Sequence, residues 1–212
     1  MTEVRAAVLT RTGDHGPYAE TKPLEVQTLT LGPPGAGELR VAIKAAGLCH
    51  SDLSVIDGNR PRPVPMVLGH EAAGEVVEVG AGVTTFSPGD RVVLAFMPSC
   101  GECATCLSGR AALCEPGAAA NGAGTLLSGE RRWSAPVGED PHHHVGVSAF
   151  SEQVVVSEKS AVLIPDEVPY DVAAVFGCAA LTGVGAALNA ADVQPGETVA
   201  VFGLGGVGLS AL

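Results

Sequence analysis

Gly47–Glu71 reads GLCHSDLSVIDGNRPRPVPMVLGHE. It offers one thiol, Cys49, and one imidazole, His70, with Ser51, Asp52 and Glu71 close by to tune them. Cys49 and His70 stand 21 positions apart, a separation that no helical or strand repeat turns into contact. Only a metal ion, a nucleophile–base pair or coincidence would make both matter. A second thiol, Cys178, appears far downstream in GCAALTG. A lone cysteine before an apolar segment is more often core than ligand, but the two upstream partners change that reading. Two thiolates and one imidazole would leave a tetrahedral zinc one open position, as catalysis needs and a structural site lacks.

Outward from this stretch the chain reads as short strands. Val4–Thr10, Leu24–Leu31 (LEVQTLTL) and Leu39–Ala46 (LRVAIKAA) come before it, the last two alternating. Pro61, Pro63 and Pro65 keep the approach to His70 extended. Ala72–Val79, Arg91–Phe96, Phe150–Val156 and Ala161–Ile164 follow, with Gly- and Pro-bearing turns among them. Such spacing predicts a small β-barrel or sandwich. Asp171–Ala174 begins a helix, and the run opening at Cys178 reads as helical and buried.

Cys100, Cys103, Cys106 and Cys114 form C-x2-C-x2-C-x7-C within a single lobe. Four thiolates so close can close a tetrahedral structural zinc site. The alternatives are an iron–sulfur cluster, disulfides or free thiols. The bacterial ferredoxin run ends differently, in C-x3-C-P, and zinc is favoured. Glu115–Gly146 shows no periodicity and reads as a long loop of the kind that often borders a cleft. Its His142-His143-His144 run could bind metal, but a solvated loop is the favoured reading because neighbouring side chains diverge.

Near the end, the buried-strand pattern Thr198–Phe202 leads into Gly203-Leu204-Gly205-Gly206-Val207-Gly208. G-x-G-x-x-G after a strand and opening a helix suits a dinucleotide pyrophosphate. The acidic residue expected about 20 positions later, to hold the ribose, is not present before Leu212.

The chain has 212 residues, 46% hydrophobic and only 4% aromatic, with 28 Gly and 15 Pro. That mix suits β-structure whose core is filled by Val and Ala. A formal charge of −11 argues against nucleic acid and anionic membrane partners. The N-terminus has no signal pattern and no apolar run reaches bilayer length. A cytoplasmic location is expected, where six cysteines point to metal or catalysis before disulfides.

Taken in order, GLCHSD, GHEAAGEVVEVG, GDRV, the four-cysteine lobe, GVSAFSEQVVV, GCAALTG and VFGLGGVGLS resemble the zinc-dependent alcohol dehydrogenases of the medium-chain dehydrogenase/reductase family. The resemblance implies a mainly-β, GroES-like catalytic domain over 1–177, joined to the start of an α/β Rossmann domain over 178–212. It implies two Zn2+ per chain and NAD, with NADP not excluded. Cys49, His70 and Cys178 would hold the catalytic zinc, with Glu71 able to approach it; Cys100, Cys103, Cys106 and Cys114 would hold the structural one. Asp52 would fix the tautomer of His70, and Ser51 would take the proton of the alcohol. Phe96, with Arg60, would line the substrate pocket. Thr182 and Val207 would press on the nicotinamide, with His50 and Gly203, Gly205, Gly206 and Gly208 near the pyrophosphate.

Two positions depart from the pattern: His50 stands where some members have Arg, and Ser54 where some have a relay His. The family continues past the equivalent of Leu212, so a fragment is expected, binding cofactor poorly and exposing Val199, Val201 and Leu209. The implied activity is hydride transfer between an alcohol and NAD(P), in a homodimer or homotetramer when full length. Alternatives are a dehydrogenase of S-hydroxymethyl-thiol adducts and a non-catalytic zinc module, which would hold one zinc and not two.

Overall fold

Alternation of apolar side chains builds the two sheets. In the computed structural model, which describes residues 1–212, β1 (Thr2–Leu9) turns Val4, Ala6 and Val8 into the core. A one-turn helix, α1 (Tyr18–Thr21), precedes β2 (Leu24–Leu31), which pairs antiparallel with β1 along its whole length. Next come β3 (Glu38–Gly47), α2 (His50–Ile56), β4 (Met66–Val67), β5 (Glu71–Val79) and β6 (Arg91–Leu94). The cysteine lobe contains α3 (Ala104–Leu107) and leads into α4 (Glu115–Ala123). Four short strands follow: β7 (Trp133–Ser134), β8 (His142–His143), β9 (Gln153–Ser157) and β10 (Ala161–Leu163). The chain ends with α5 (Tyr170–Ala174), α6 (Ala179–Gly185) and α7 (Gly206–Ser210).

One sheet has the order β7-β2-β1-β4-β8 and the other β10-β6-β5-β3-β9. A single core draws on both, with Leu29, Leu31, Leu39, Val41, Val76, Val92 and Val154–Val156. Trp133 is its one fully buried aromatic ring of large size, so aliphatic side chains do supply the core. Each such Val or Leu contributes about 1.5–3 kcal/mol by leaving water.

Four expectations need correction. Thr198–Phe202 forms no strand and joins neither sheet. A strand needs a neighbour's N–H and C=O groups, and none lies beside this run. Glu115–Gly146 is not one long loop, since it holds α4, β7 and β8. Pro near the first turn, the Cys114 sulfur accepting the Gly117 N–H, and left-handed Gly124 at the end delimit α4. Its buried positions are Gly117 and Asn121, so it carries no apolar stripe to read. The helix after Cys178 is only partly buried: Ala180 and Gly183 are covered, whereas Leu181 and Val184 are exposed.

The histidine run is the other correction. β8 pairs parallel with β4, Met66 facing His142 and Val67 facing His143. The side chains do diverge, but not into water. His142 is half-buried against the Ala123 carbonyl, and His143 and His144 are wholly buried.

Candidate metal and active site

The register of β3 on β5 closes the gap between Cys49 and His70. Ala45 faces Ala73, Ala46 faces Ala72, and Gly47 faces Glu71. The chain leaving β3 therefore puts Cys49 beside the residue that precedes β5. Cys49 has extended backbone and caps α2. Gly69, before His70, has φ +93°, and a Cβ there would stand 2.6 Å from the backbone nitrogen of Phe150. That close approach needs glycine. Cys178 arrives from the opposite side. α5 packs Ala173 and Ala174 on Ala73 of β5, and Gly177 lies so near the Leu94 carbonyl that a Cβ would be 2.1 Å away.

The result is a cluster of Cys49, His70, Glu71 and Cys178 whose ligand atoms all lie within 4.8 Å of one another. Burial, and then the negative charge of Cys49 and Glu71, push the Cys178 thiol up to about 12. Three acidic groups converging with no cation between them repel, and a dication reverses that penalty. The donor set thus fits Zn2+.

The second cluster is Cys100, Cys103, Cys106 and Cys114, again within 4.8 Å. Cys103 and Cys114 have their sulfurs 4.0 Å apart. Zn–S bonds of 2.3 Å at tetrahedral angles require about 3.8 Å. Backbone N–H groups already point at the sulfurs: Cys103 to Cys100 at 3.3 Å, and Cys100 and Gly117 to Cys114 at 3.2 and 3.3 Å. The Thr105 hydroxyl and the Cys106 N–H pull the Cys103 thiol down to about 6. Zinc fits here too, with no position left open.

Around His70 the arrangement is tighter than the sequence suggests. Asp52 Oδ2 lies 3.0 Å from His70 Nδ1, and Asp52 Oδ1 lies 3.2 Å from His144 Nδ1. Asp52 Oδ1 also accepts the Gly69 N–H at 3.0 Å. Burial pushes the Asp52 carboxyl up, but hydrogen bonds to His144 and His70 outweigh it and hold the group well below the usual carboxylate range. Phe96 and His144 meet the His70 ring edge-on at 5.6 and 5.7 Å.

Two cavities meet this cluster. One, of about 50 Å3, is lined by Ser51, His70 and Phe96 together with Arg60, Arg62, Asn121 and His144. The other, of about 660 Å3, is lined by Cys49, His50 and Glu71 on one side and by Gly203 and Gly205–Gly208 on the other. Gly203 has φ +94°, and its carbonyl lies 1.8 Å from where a Cβ of Gly208 would be, so the turn closes on itself as glycine permits. α7 opens at Gly206, directly after it. Thr182 is an exposed residue of α6, outside the lining of either cavity.

Sequence reasoning gave no role to Arg62 or Asn121, and set His144 aside as part of a solvated loop. His144 sits in a polar run with no period, and Arg62 sits between prolines. Only the fold brings them to His70.

Residues 35–166 match the model of the alcohol dehydrogenase GroES-like domain. The S-(hydroxymethyl)glutathione dehydrogenase of Saccharomyces cerevisiae is 44% identical over 92% of this chain and 51% of its own length. Its Escherichia coli counterpart is 43% identical over 92% of this chain and 53% of its own length. The chain thus spans about half the length of the curated relatives it matches. Among solved structures, an alcohol dehydrogenase zinc-binding domain protein from Burkholderia ambifaria superposes with TM-score 0.89 at 37% identity, over 99% of this chain and 55% of that one. Benzyl alcohol dehydrogenase from Acinetobacter calcoaceticus gives 0.87 at 33% identity, over 100% and 55%. With its mainly-β fold and its two cysteine-rich clusters, the chain belongs to the alcohol dehydrogenase GroES-like domain family, among the zinc-dependent medium-chain dehydrogenases/reductases.

Proposed function

We propose that this chain supplies the zinc-binding catalytic unit, residues 1–177, and the start of the dinucleotide-binding unit, residues 178–212, of an NAD(P)-dependent alcohol oxidoreductase. The observation behind this reading is the large cavity that Cys49 and Glu71 share with the glycine turn Gly203–Gly208. A metal cluster with room for substrate on one side and a dinucleotide-type turn on the other suits hydride transfer. Bound zinc supplies Lewis acidity that lets an alcohol give up its proton near neutral pH, and NAD(P) accepts the hydride.

The chain's own residues do the rest. Cys49, His70 and Cys178 would hold the metal, with Glu71 close enough to be an alternative ligand. Asp52 fixes the His70 ring through Nδ1, which leaves Nε2 for the metal. Ser51 lines the small cavity beside His70, which supports its handling the substrate proton. Ser54 does not extend that path inward, because its hydroxyl donates to the His50 carbonyl at 3.1 Å. Phe96 supplies an apolar wall for the reacting carbon.

The names of the relatives favour an S-hydroxymethyl-thiol adduct as one substrate, beside simple alcohols. All six cysteines are unpaired, which suits a reducing compartment, and no single helix is long and apolar enough to cross a membrane. We place the protein in the cytoplasm, as a homodimer or homotetramer. The test is NAD and NADP reduction by the zinc-loaded protein from its native cells, offered simple alcohols and S-hydroxymethylglutathione. Turnover that falls at least about 100-fold in Cys178→Ser is expected, since even partners one shell out from a metal matter on that scale. No turnover of any of these by zinc-loaded protein would refute the reading.

A further inference from the structure

Asp52 has more partners than its task at His70 requires. The carboxylate is buried in the first turn of α2 and puts Oδ2 3.0 Å from His70 Nδ1. Its orientation is already fixed through the other oxygen, where Oδ1 accepts the Gly69 N–H at 3.0 Å. Gly69 directly precedes His70, so that bond ties carboxylate and imidazole to one stretch of backbone. His144 is a third partner, its Nδ1 lying 3.2 Å from the same Oδ1. An ionised carboxylate only accepts, so both Nδ1 atoms carry the proton.

The backbone around His144 is strained into place. Val145, next in the chain, has φ +46°, and Ser148 has φ +57°. Left-handed backbone is unfavourable for residues with a Cβ, and most of all for a β-branched one. The Ser148 hydroxyl closes the bend by accepting the His144 N–H at 2.8 Å. The His144 carbonyl accepts the Val147 and Ser148 N–H groups at 3.0 and 3.2 Å. None of these bonds uses the imidazole. The ring is wholly buried, meets the His70 ring edge-on, and leaves Nε2 without a partner. A phenyl ring would fill the same space with no buried nitrogen unmet. What the imidazole adds is one N–H aimed at Asp52.

We infer that His144 is a positioning residue for the metal centre: by sharing Asp52 Oδ1 it draws carboxylate charge away from His70 and weakens His70 as a metal donor. The inference rests on the metal site proposed above. A partner carboxylate makes a ligating imidazole a stronger donor, and each further N–H on that carboxylate lessens the effect. A weaker donor leaves the metal a stronger Lewis acid, with a lower affinity for it in return.

The test is zinc affinity at Cys49, His70 and Cys178, measured by chelator competition on the protein as its native cells make it. Zinc in the four-cysteine lobe and the β-sheet circular dichroism serve as folding controls. His144→Phe fills the space and removes the N–H. It should hold zinc about 10-fold more tightly, the lower end of what partners one shell out from a metal are worth. Where that variant disturbs either control, His144→Leu takes its place. His144→Asn keeps an N–H near the position of Nδ1 and should return the wild-type affinity. With Asp52→Asn the carboxylate charge is gone, and adding His144→Phe should then change affinity by less than about 2-fold.

A purely structural His144 gives the opposite sign, with affinity lost in the Phe variant. Loss or no change there, no return in the Asn variant, or the same gain beside Asp52→Asn would each overturn the inference and leave the dehydrogenase reading standing. No zinc at this site in the wild type would overturn both. The expected affinities with no turnover of any alcohol would sink the dehydrogenase reading and leave His144 acting through Asp52.

Discussion

Asp52 meets His70, His144 and the Gly69 N–H with two oxygens, so one buried carboxylate fixes the geometry of both imidazoles. Its part beside His70 was legible in CHSD followed by GHE. Its second partner was not, because 92 positions separate Asp52 from His144. His143 behaves differently. Its Nε2 accepts the Arg132 N–H at 3.2 Å, which requires the neutral ring, and its ring lies 5.7 Å from that of Trp133. Burial first, and then Arg132, Arg131 and His142, push its pKa from 6.5 down to about 3. As pH falls through 6.5 the unfolded chain takes up a proton that the folded chain refuses until about 3. Stability from this residue is therefore complete above 6.5 and lost progressively below it. The loss is on the order of 2 kcal/mol at pH 5, at about 1.4 kcal/mol per pH unit. Denaturant midpoints from pH 7 to 5 should fall more steeply for the wild type than for His143→Gln. Parallel curves would contradict this assignment.

At the scale of elements, the longer paired strands were readable, the two-residue strands β4, β7 and β8 were not, and the run that pairs with nothing was misread. β2 stands where its alternation puts it, Leu24–Leu31, and β3 and β5 extend the predicted runs by one residue or two. Thr198–Phe202 has the same composition as a buried strand, but composition cannot supply a neighbour. α4 was missed because Gly117, Ala118–Ala120 and Asn121 give no apolar period; the helix is held at its ends. One of those ends is also a candidate metal ligand. Cys114 is buried, accepts the Gly117 and Cys100 N–H groups, and starts α4. Cys114→Ser should release the lobe's zinc, cost at least about 4 kcal/mol and open residues 100–123 to protease. The β-sheet circular dichroism should persist. An intact, protease-resistant lobe in this variant would contradict a metal there.

For the whole molecule, the sheets form one well-packed body while the final segment presents apolar side chains to solvent. Phe202, Leu204 and Leu209 are exposed, as are Val199 and Leu188, while Val201 is half-covered. That extent of apolar surface marks a face made to be covered. The two cysteine clusters differ in the same way, one closed by four thiolates and one with a cavity on each side. A closed site beside an open one is what the proposed enzyme would need and a stapled scaffold would not. The direct test is the zinc content of the purified protein, by mass spectrometry of the metal against protein concentration. Two zinc ions per chain are expected, falling to one in Cys49→Ser/Cys178→Ser with the sheets intact. One zinc in the wild type, or two retained in that variant, would contradict a metal at Cys49, His70 and Cys178.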